Sequence, residues 1–92
     1  MQKRPLLELF AGGCAMSRRA EISLRACRAL EVLVELRVRN IDDPLVDVPP
    51  CVVGCPTLVF QGTAVALGTP DCSAVVRRVR LLLADPRRGG LE

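Results

Sequence analysis

The sequence contains no histidine, tryptophan or tyrosine, and its only aromatic residues are two phenylalanines. Without histidine there is no ordinary general base, no Cys-His dyad and no zinc site that uses an imidazole. Two phenylalanines cannot assemble the platform of several rings on which unpaired bases stack. Protease-like chemistry, histidine-dependent metal sites and nucleic-acid binding are therefore not expected.

Long hydrophobic runs are also missing. The longest purely apolar stretches have only four residues, whereas about 20 are needed to cross a bilayer. Residues 1–5 are followed by a short mixed run containing Glu8, which lacks the apolar core of a secretory signal. The net charge of +3 comes from 12 arginines and one lysine against ten acidic residues, spread along the chain. We expect a soluble, cytoplasmic protein that binds neither membranes nor nucleic acid.

The length supports one domain. Half of the 92 residues are apolar, which is enough for a single hydrophobic core and too little for two. We therefore expect residues 1–92 to form one domain. Pro86 should stop the last helix, so residues 86–92 are predicted to be a flexible tail, and its Leu91-Glu92 end resembles a tag junction.

The first half of the chain predicts strand, helix and strand. The apolar run 6–10, closed by two glycines, indicates a buried strand and a tight turn. Residues 15–30 contain no glycine or proline and indicate one helix. Its predicted core face is Met16, Ala20, Leu24, Cys27 and Leu30. Alternation over 32–38 then predicts a second strand, with Val32 and Val34 on its apolar face.

The second half predicts a short helix, a hairpin and a last helix. Asp42-Asp43-Pro44 could cap a helix that Pro49-Pro50 stops within about two turns. Runs 56–60 and 63–67, joined by Gln61-Gly62, indicate a β-hairpin.

Thr69 and Pro70 are predicted as N-cap and first residue of the final helix. Its predicted core stripe is Val75, Val76, Val79, Leu82 and Leu83. A right-handed crossover makes the first two strands parallel, and the hairpin makes the last two antiparallel. The expected fold class is α/β, with a four-stranded mixed sheet flanked by helices.

The five cysteines form an odd, irregularly spaced set in a chain without an export signal, which argues against a disulfide framework. Cys27 and Cys72 are interpreted as core or helix-end residues. Cys14 stands at the predicted start of the first helix. Unpaired amides and the helix dipole stabilise a thiolate there, so the residue is a candidate nucleophile.

Three segments carry a resemblance to a known superfamily. They are Gly13-Cys14-Ala15-Met16-Ser17 with Arg19-Ala20 after it, Asp42-Asp43-Pro44, and above all Val53-Gly54-Cys55-Pro56-Thr57-Leu58-Val59-Phe60-Gln61-Gly62. With the element order, these residues resemble the thioredoxin and glutaredoxin superfamily over nearly the whole chain. The resemblance implies a thioredoxin-like fold, β-α-β-(short α)-β-β-α. It also implies a cis bond before Pro56, with Pro56 packed beside Cys14.

The resemblance further implies thiol-disulfide exchange at Cys14. Ser17 stands where dithiol enzymes have a second cysteine, so the Cys-x-x-Ser motif is similar to that of monothiol glutaredoxins. Cys14 would form a mixed disulfide that Ser17 cannot resolve. The implied catalytic residues are Cys14, Ser17 and Cys55, and the implied substrate-binding residues are Pro56 and Thr57. Pro56 would shape the groove, and the edge of the strand beginning at Thr57 would offer backbone groups to an extended peptide.

The resemblance also implies that Cys55 lies against Cys14, and three roles are open for it. It could form a disulfide with Cys14, hold a thiophilic metal jointly with Cys14, or be a buried inert residue. Cys51 is a weaker third candidate. No resident metal or other cofactor is expected. The expected partner is a protein or small-molecule disulfide or thiol, and the expected state is a monomer, with a dimer as the alternative.

Two other classes of function stay open. Ala11-Gly12, residues 17–20 with Leu24, Asp43-Pro44 and residues 56–58 are also similar to the KaiB clock-protein family, itself related to thioredoxins. That resemblance implies a non-catalytic module that works by binding partner proteins. The third class is a thiophilic-metal-handling accessory protein, which depends only on Cys14 and Cys55.

Overall fold

Four strands and three helices make up the part of the chain that the computed structural model describes, residues 4–52, 54–68 and 70–84. In chain order they are β1 (Leu6–Ala11), α1 (Ala15–Arg25), α2 (Arg28–Glu31), β2 (Glu35–Asn40), β3 (Thr57–Phe60), β4 (Thr63–Leu67) and α3 (Cys72–Ala84). None of the described helices is long and apolar enough to cross a membrane.

The strands form one mixed sheet in the order β2-β1-β3-β4. β1 and β2 run parallel, as a strand-helix-strand crossover requires, and Leu7 lies opposite Leu36. β3 is antiparallel to both β1 and β4. The four-stranded mixed sheet predicted from the sequence is therefore confirmed. β1 and β3 are the inner strands, and β2 and β4 are the outer ones.

The hydrophobic core lies between the sheet and the helices. Phe60 and Leu7 are fully buried, and all four residues of β3 are buried because this strand has neighbours on both sides. The buried core cluster is formed by Leu7, Leu9, Ala11, Ala20, Leu24, Cys27, Leu30, Val34, Leu58, Phe60, Val75, Val79 and Leu82. Met16 and Leu83, predicted on core faces, are 50% and 40% exposed, so those two assignments are wrong.

The hairpin between β3 and β4 agrees with the prediction. Gln61 and Gly62 both have positive φ, 50° and 83°, as a two-residue turn of type I′ requires. Glycine at the second position adopts this left-handed conformation without the steric cost that a Cβ brings.

The single helix predicted for residues 15–30 is divided in two. α1 ends at Arg25, and Cys27 is extended (φ −86°, ψ 94°) at the start of the short α2. The Val34 amide still donates to the Leu30 carbonyl at 3.0 Å, so the chain closes this turn before it extends. β2 consequently spans 35–40 rather than 32–38. Val32 is 73% exposed instead of on a strand's apolar face.

The short helix predicted at Asp42-Asp43-Pro44 is wrong, because residues 41–52 contain turns and no helix. The Asp42 amide donates to Asn40 Oδ1 at 2.9 Å, and the Leu45 amide donates to Asp43 Oδ1 at 3.0 Å. Side-chain acceptors thus satisfy amides that a helix would use, which is how Asn and Asp stabilise turns.

The last helix begins at Cys72, so Pro70 precedes it rather than being its first residue. The Asp71 carboxylate accepts a hydrogen bond from the Ala74 amide at 3.2 Å and so caps the helix. The predicted N-cap Thr69, the stop at Pro86 and the tail 86–92 lie outside the described residues.

Candidate functional site

Cys14 lies at the N-cap of α1, directly after the turn that follows β1. Its backbone is extended (φ −81°, ψ 164°), and the Ser17 amide donates to Cys14 Sγ at 3.4 Å. The thiol therefore occupies the position in which a side chain satisfies an otherwise unpaired helix amide. The residue is exposed, so this sulfur is accessible to another molecule.

Ser17 connects Cys14 to the end of β1. Its side chain is buried, at 1% exposure, and Ser17 Oγ lies 3.3 Å from Cys14 Sγ. The Gly12 amide donates to the same oxygen at 3.0 Å. Because this amide takes up an acceptor position of the hydroxyl, the Ser17 proton remains available to a Cys14 thiolate.

These contacts lower the pKa of Cys14 below the ordinary value for a thiol. The largest cause is the hydrogen bond with the Ser17 side chain, followed by the Ser17 amide, while desolvation acts in the opposite direction. The Met16 amide and the Cys55 side chain make smaller contributions to the lowering. A lowered pKa increases the fraction of thiolate, the nucleophilic form, near neutral pH.

Cys55 is half-buried and belongs to the same cluster. A Cβ placed on Gly12 would lie 3.2 Å from Cys55 Sγ, so the thiol packs against a position that has no side chain. Gly12 in turn contacts Ser17, and Cys55 contributes to the lowered pKa of Cys14. Cys55 therefore contacts Gly12, the residue whose amide binds Ser17 beside Cys14, and the Cys55-Pro56 peptide bond is cis, as the resemblance implied.

The surface beside Cys14 is a shallow cavity of about 100 Å³. Its lining residues are Ala11, Gly12, Gly13, Cys14, Ser17, Arg18 and Glu21. Sites that enclose a small organic ligand usually measure about 300–1,000 Å³. This surface therefore suits a group presented by a larger molecule better than it suits an enclosed cofactor.

Pro56 and Thr57 are buried, and Thr57 is part of the inner strand β3. The Thr57 hydroxyl donates to the Gly54 carbonyl, while its backbone is paired on one side with Phe10 and on the other with Leu67. The expectation that the strand beginning at Thr57 offers a free edge to a peptide is wrong, because both edges of β3 are occupied.

Cys27 and Cys72 form a disulfide with a Cα–Cα distance of 5.9 Å. The expectation against disulfides is wrong for this pair, although Cys27 is a core residue and Cys72 a helix-end residue as interpreted. The bond joins the start of α2 to the start of α3. No spacing rule indicates it, because the two residues meet only through the packing of these helices.

The remaining cysteines are Cys14, Cys51 and Cys55, all of them free thiols. Cys51 lines a different cavity, together with Thr57 and the residues of β4 from 64 to 67. Within residues 4–52, 54–68 and 70–84, no group of three or more cysteine, aspartate or glutamate side chains could hold a metal ion.

Comparison of the chain with known proteins gave no significant match to a protein-family model, a curated protein or a solved structure.

Proposed function

We propose that the chain is a thioredoxin-like domain that catalyses thiol-disulfide exchange through Cys14. One observation carries the proposal: an exposed cysteine sulfur accepts the Ser17 amide at a helix N-terminus and lies 3.3 Å from a buried hydroxyl. The strand order β2-β1-β3-β4, with only β1 and β2 parallel, supports the fold assignment. The cis bond before Pro56 is a further point of agreement with the resemblance.

In the proposed reaction, the Cys14 thiolate attacks one sulfur of a substrate disulfide. A new bond forms between Cys14 and that sulfur, the original disulfide breaks, and the other substrate sulfur leaves as a thiolate that takes a proton from water. The Ser17 hydroxyl and amide stabilise the Cys14 thiolate before attack. They also make Cys14 a better leaving group when a second thiol resolves the mixed disulfide.

The proposed substrate is a disulfide carried by a protein. The cavity beside Cys14 is too shallow to enclose a small molecule, and Met16, two residues from the nucleophile, is 50% exposed. Leu45, in the loop that follows β2, is 91% exposed. Single exposed apolar side chains are common on protein surfaces, so the shallowness of the cavity is the observation that favours a protein substrate.

Reduction of a fluorogenic peptide disulfide tests the proposal. The wild-type protein should accelerate release of the first peptide thiol, and Cys14→Ser should reduce the rate to that of the uncatalysed reaction. Cys51→Ser is the matched control, because Cys51 is a free thiol in a different cavity and should leave the rate unchanged. A Cys14→Ser variant with wild-type activity would exclude the catalytic assignment.

Alkylation of each cysteine across a pH series gives a second test that needs no substrate. Cys14 should react faster than Cys51 near neutral pH, because its hydrogen bonds with Ser17 lower its pKa. Equal rates for the two thiols would argue against an activated nucleophile.

The second candidate is a partner-binding module without catalysis. The shallow cavity beside Cys14 favours it to the same degree as it favours a protein substrate. The two candidates differ in their dependence on sulfur: a binding partner would be retained equally by the wild type and by Cys14→Ser, whereas a substrate captured as a mixed disulfide would be lost. The metal-handling alternative would have to use fewer than three thiol or carboxylate ligands from the described residues.

A further inference from the structure

We propose that Cys55 is the resolving thiol of this site. The reaction would then pass through an intramolecular Cys14–Cys55 disulfide, even though the helix motif has serine at position 17. This inference rests on the proposed function, because Cys14 must first form a mixed disulfide with the substrate.

Gly12 provides the space that Cys55 occupies next to the turn that carries Cys14. Its missing side chain leaves room for Cys55 Sγ, which a Cβ at this position would approach to 3.2 Å. On its other side, the Gly12 amide holds Ser17 Oγ at 3.0 Å, and that oxygen lies 3.3 Å from Cys14 Sγ. Cys55 and Cys14 are therefore both positioned by the turn at the end of β1, Cys55 through direct contact with Gly12 and Cys14 through Ser17.

The other cysteines are in the wrong places to resolve a mixed disulfide at Cys14. Cys27 and Cys72 are bonded to each other, and Cys51 lines the separate cavity beside β4. Exposure also assigns the two roles: Cys14 is exposed and accessible to a substrate, whereas Cys55 is half-buried. An incoming disulfide meets Cys14 first, and Cys55 reaches only the sulfur that is already bound there.

The second step balances without any added oxidant. The Cys55 sulfur, after losing its proton to water, attacks Cys14 Sγ of the mixed disulfide. The Cys14–Cys55 bond forms, the bond from Cys14 to the substrate sulfur breaks, and the substrate leaves as a second thiolate. Over both steps the substrate disulfide gains two electrons and two protons, and the two protein thiols lose them. An external thiol or dithiol returns the protein to its reduced form by the same exchange.

The experiment uses protein in which Cys14 and Cys55 are reduced and the Cys27–Cys72 disulfide is intact. This protein is mixed with one equivalent of the peptide disulfide, without other thiols. It measures both released thiols over time and analyses the protein by non-reducing mass spectrometry. The wild type should release two thiols and yield a peptide crosslink between Cys14 and Cys55. Cys55→Ser should release one thiol and accumulate the mixed disulfide, while Cys51→Ser should behave like the wild type.

A wild-type protein that accumulates as much mixed disulfide as Cys55→Ser would overturn the resolving role and leave the proposed function intact. Failure of the wild type to release even the first thiol would refute the proposed function, and the inference with it. The two failures are distinguishable because the first thiol reports on Cys14 and the second on Cys55.

Gly12→Ala tests the geometry without removing either thiol. The φ of Gly12 lies outside the left-handed region, so alanine fits the backbone, but its Cβ must displace Cys55 Sγ by a few tenths of an ångström. The ratio of the second rate to the first should fall about tenfold, because misplacement of a reacting atom costs intramolecular reactions heavily. An unchanged ratio would show that Cys55 does not act from this position.

Discussion

Removal of the Cys27–Cys72 disulfide should destabilise the domain severely. The bond joins residues 45 positions apart in the chain. In the chain-entropy account of disulfides, closing a loop of this length removes disorder from the unfolded chain that corresponds to about 4 kcal/mol at 25 °C. Since small domains are stable by only about 5–15 kcal/mol in total, the bond supplies a large fraction of the free energy of unfolding.

The perturbation we suggest is Cys72→Ser. Because Cys72 is partly exposed, a serine hydroxyl in its place is not buried. Cys27 stays as a buried thiol, which behaves as a small apolar side chain. Urea unfolding should show a loss of about 2–4 kcal/mol relative to the wild type. In thermal unfolding, where each kcal/mol shifts the midpoint of a domain this size by roughly 4–8 °C, a full 4 kcal/mol would lower it by about 15–30 °C.

The control is Cys51→Ser, which changes a free thiol of similar exposure and should alter the unfolding free energy by less than about 0.5 kcal/mol. A reducing agent should destabilise the wild type and leave Cys72→Ser unaffected. The reasoning would be refuted if Cys72→Ser and Cys51→Ser unfolded at the same urea concentration, or if reduction left the wild type unchanged.

Three further changes have expected outcomes. Ser17→Ala should raise the pKa of Cys14, because it removes the largest cause of the lowering; the alkylation profile of Cys14 should shift to higher pH, and an unshifted profile would contradict this. Phe60→Ala should cost about 3–5 kcal/mol in urea unfolding, because the ring is fully buried; a loss below about 1 kcal/mol would argue against its place in the core. Gly62→Ala should lower the free energy of unfolding by about 1–2 kcal/mol, because φ is +83° at this position. Gly54→Ala, where a Cβ meets open space, should lower it by less. Equal losses for the two variants would contradict the assigned turn.

The strands and helices were predictable where a clear period of hydrophobic residues is bounded by glycine or proline. The run before Gly12 and Gly13 became β1, the two runs flanking Gln61-Gly62 became the hairpin, and the period around Val75 and Val79 became α3. Local sequence determines each of these, because turn chemistry and side-chain period point to the same structure.

The incorrect predictions concern residues whose positions depend on contacts between separate elements of the fold. The hydrophobic period predicts Met16 on the core face of the first helix, but Ser17 is the buried residue. Ser17, Ala20, Leu24 and Cys27 have the same three- and four-residue spacing. Ser17 can be buried because the Gly12 amide satisfies its oxygen, a contact made across the turn after β1.

The candidate site was only partly predictable. Cys14 follows from its place at a helix start, and the proximity of Cys55 was implied by the resemblance alone. The break of the first helix near Cys27 accompanies its bond to Cys72, which no local pattern indicates. The cytoplasmic location stays a prediction. The Cys27–Cys72 disulfide argues against it, because such bonds are rare in reducing compartments.

The sheet has two chemically different sides. β2, on one side, carries Glu35, Arg37 and Arg39, and charges on an outer strand discourage a further strand from pairing with it. β4, on the other, has no charged residue between 63 and 67, and its Leu67 is 64% exposed. We therefore expect that a strand from another molecule would pair with β4 rather than with β2, and Ala64→Lys is the simplest change that would discourage this pairing.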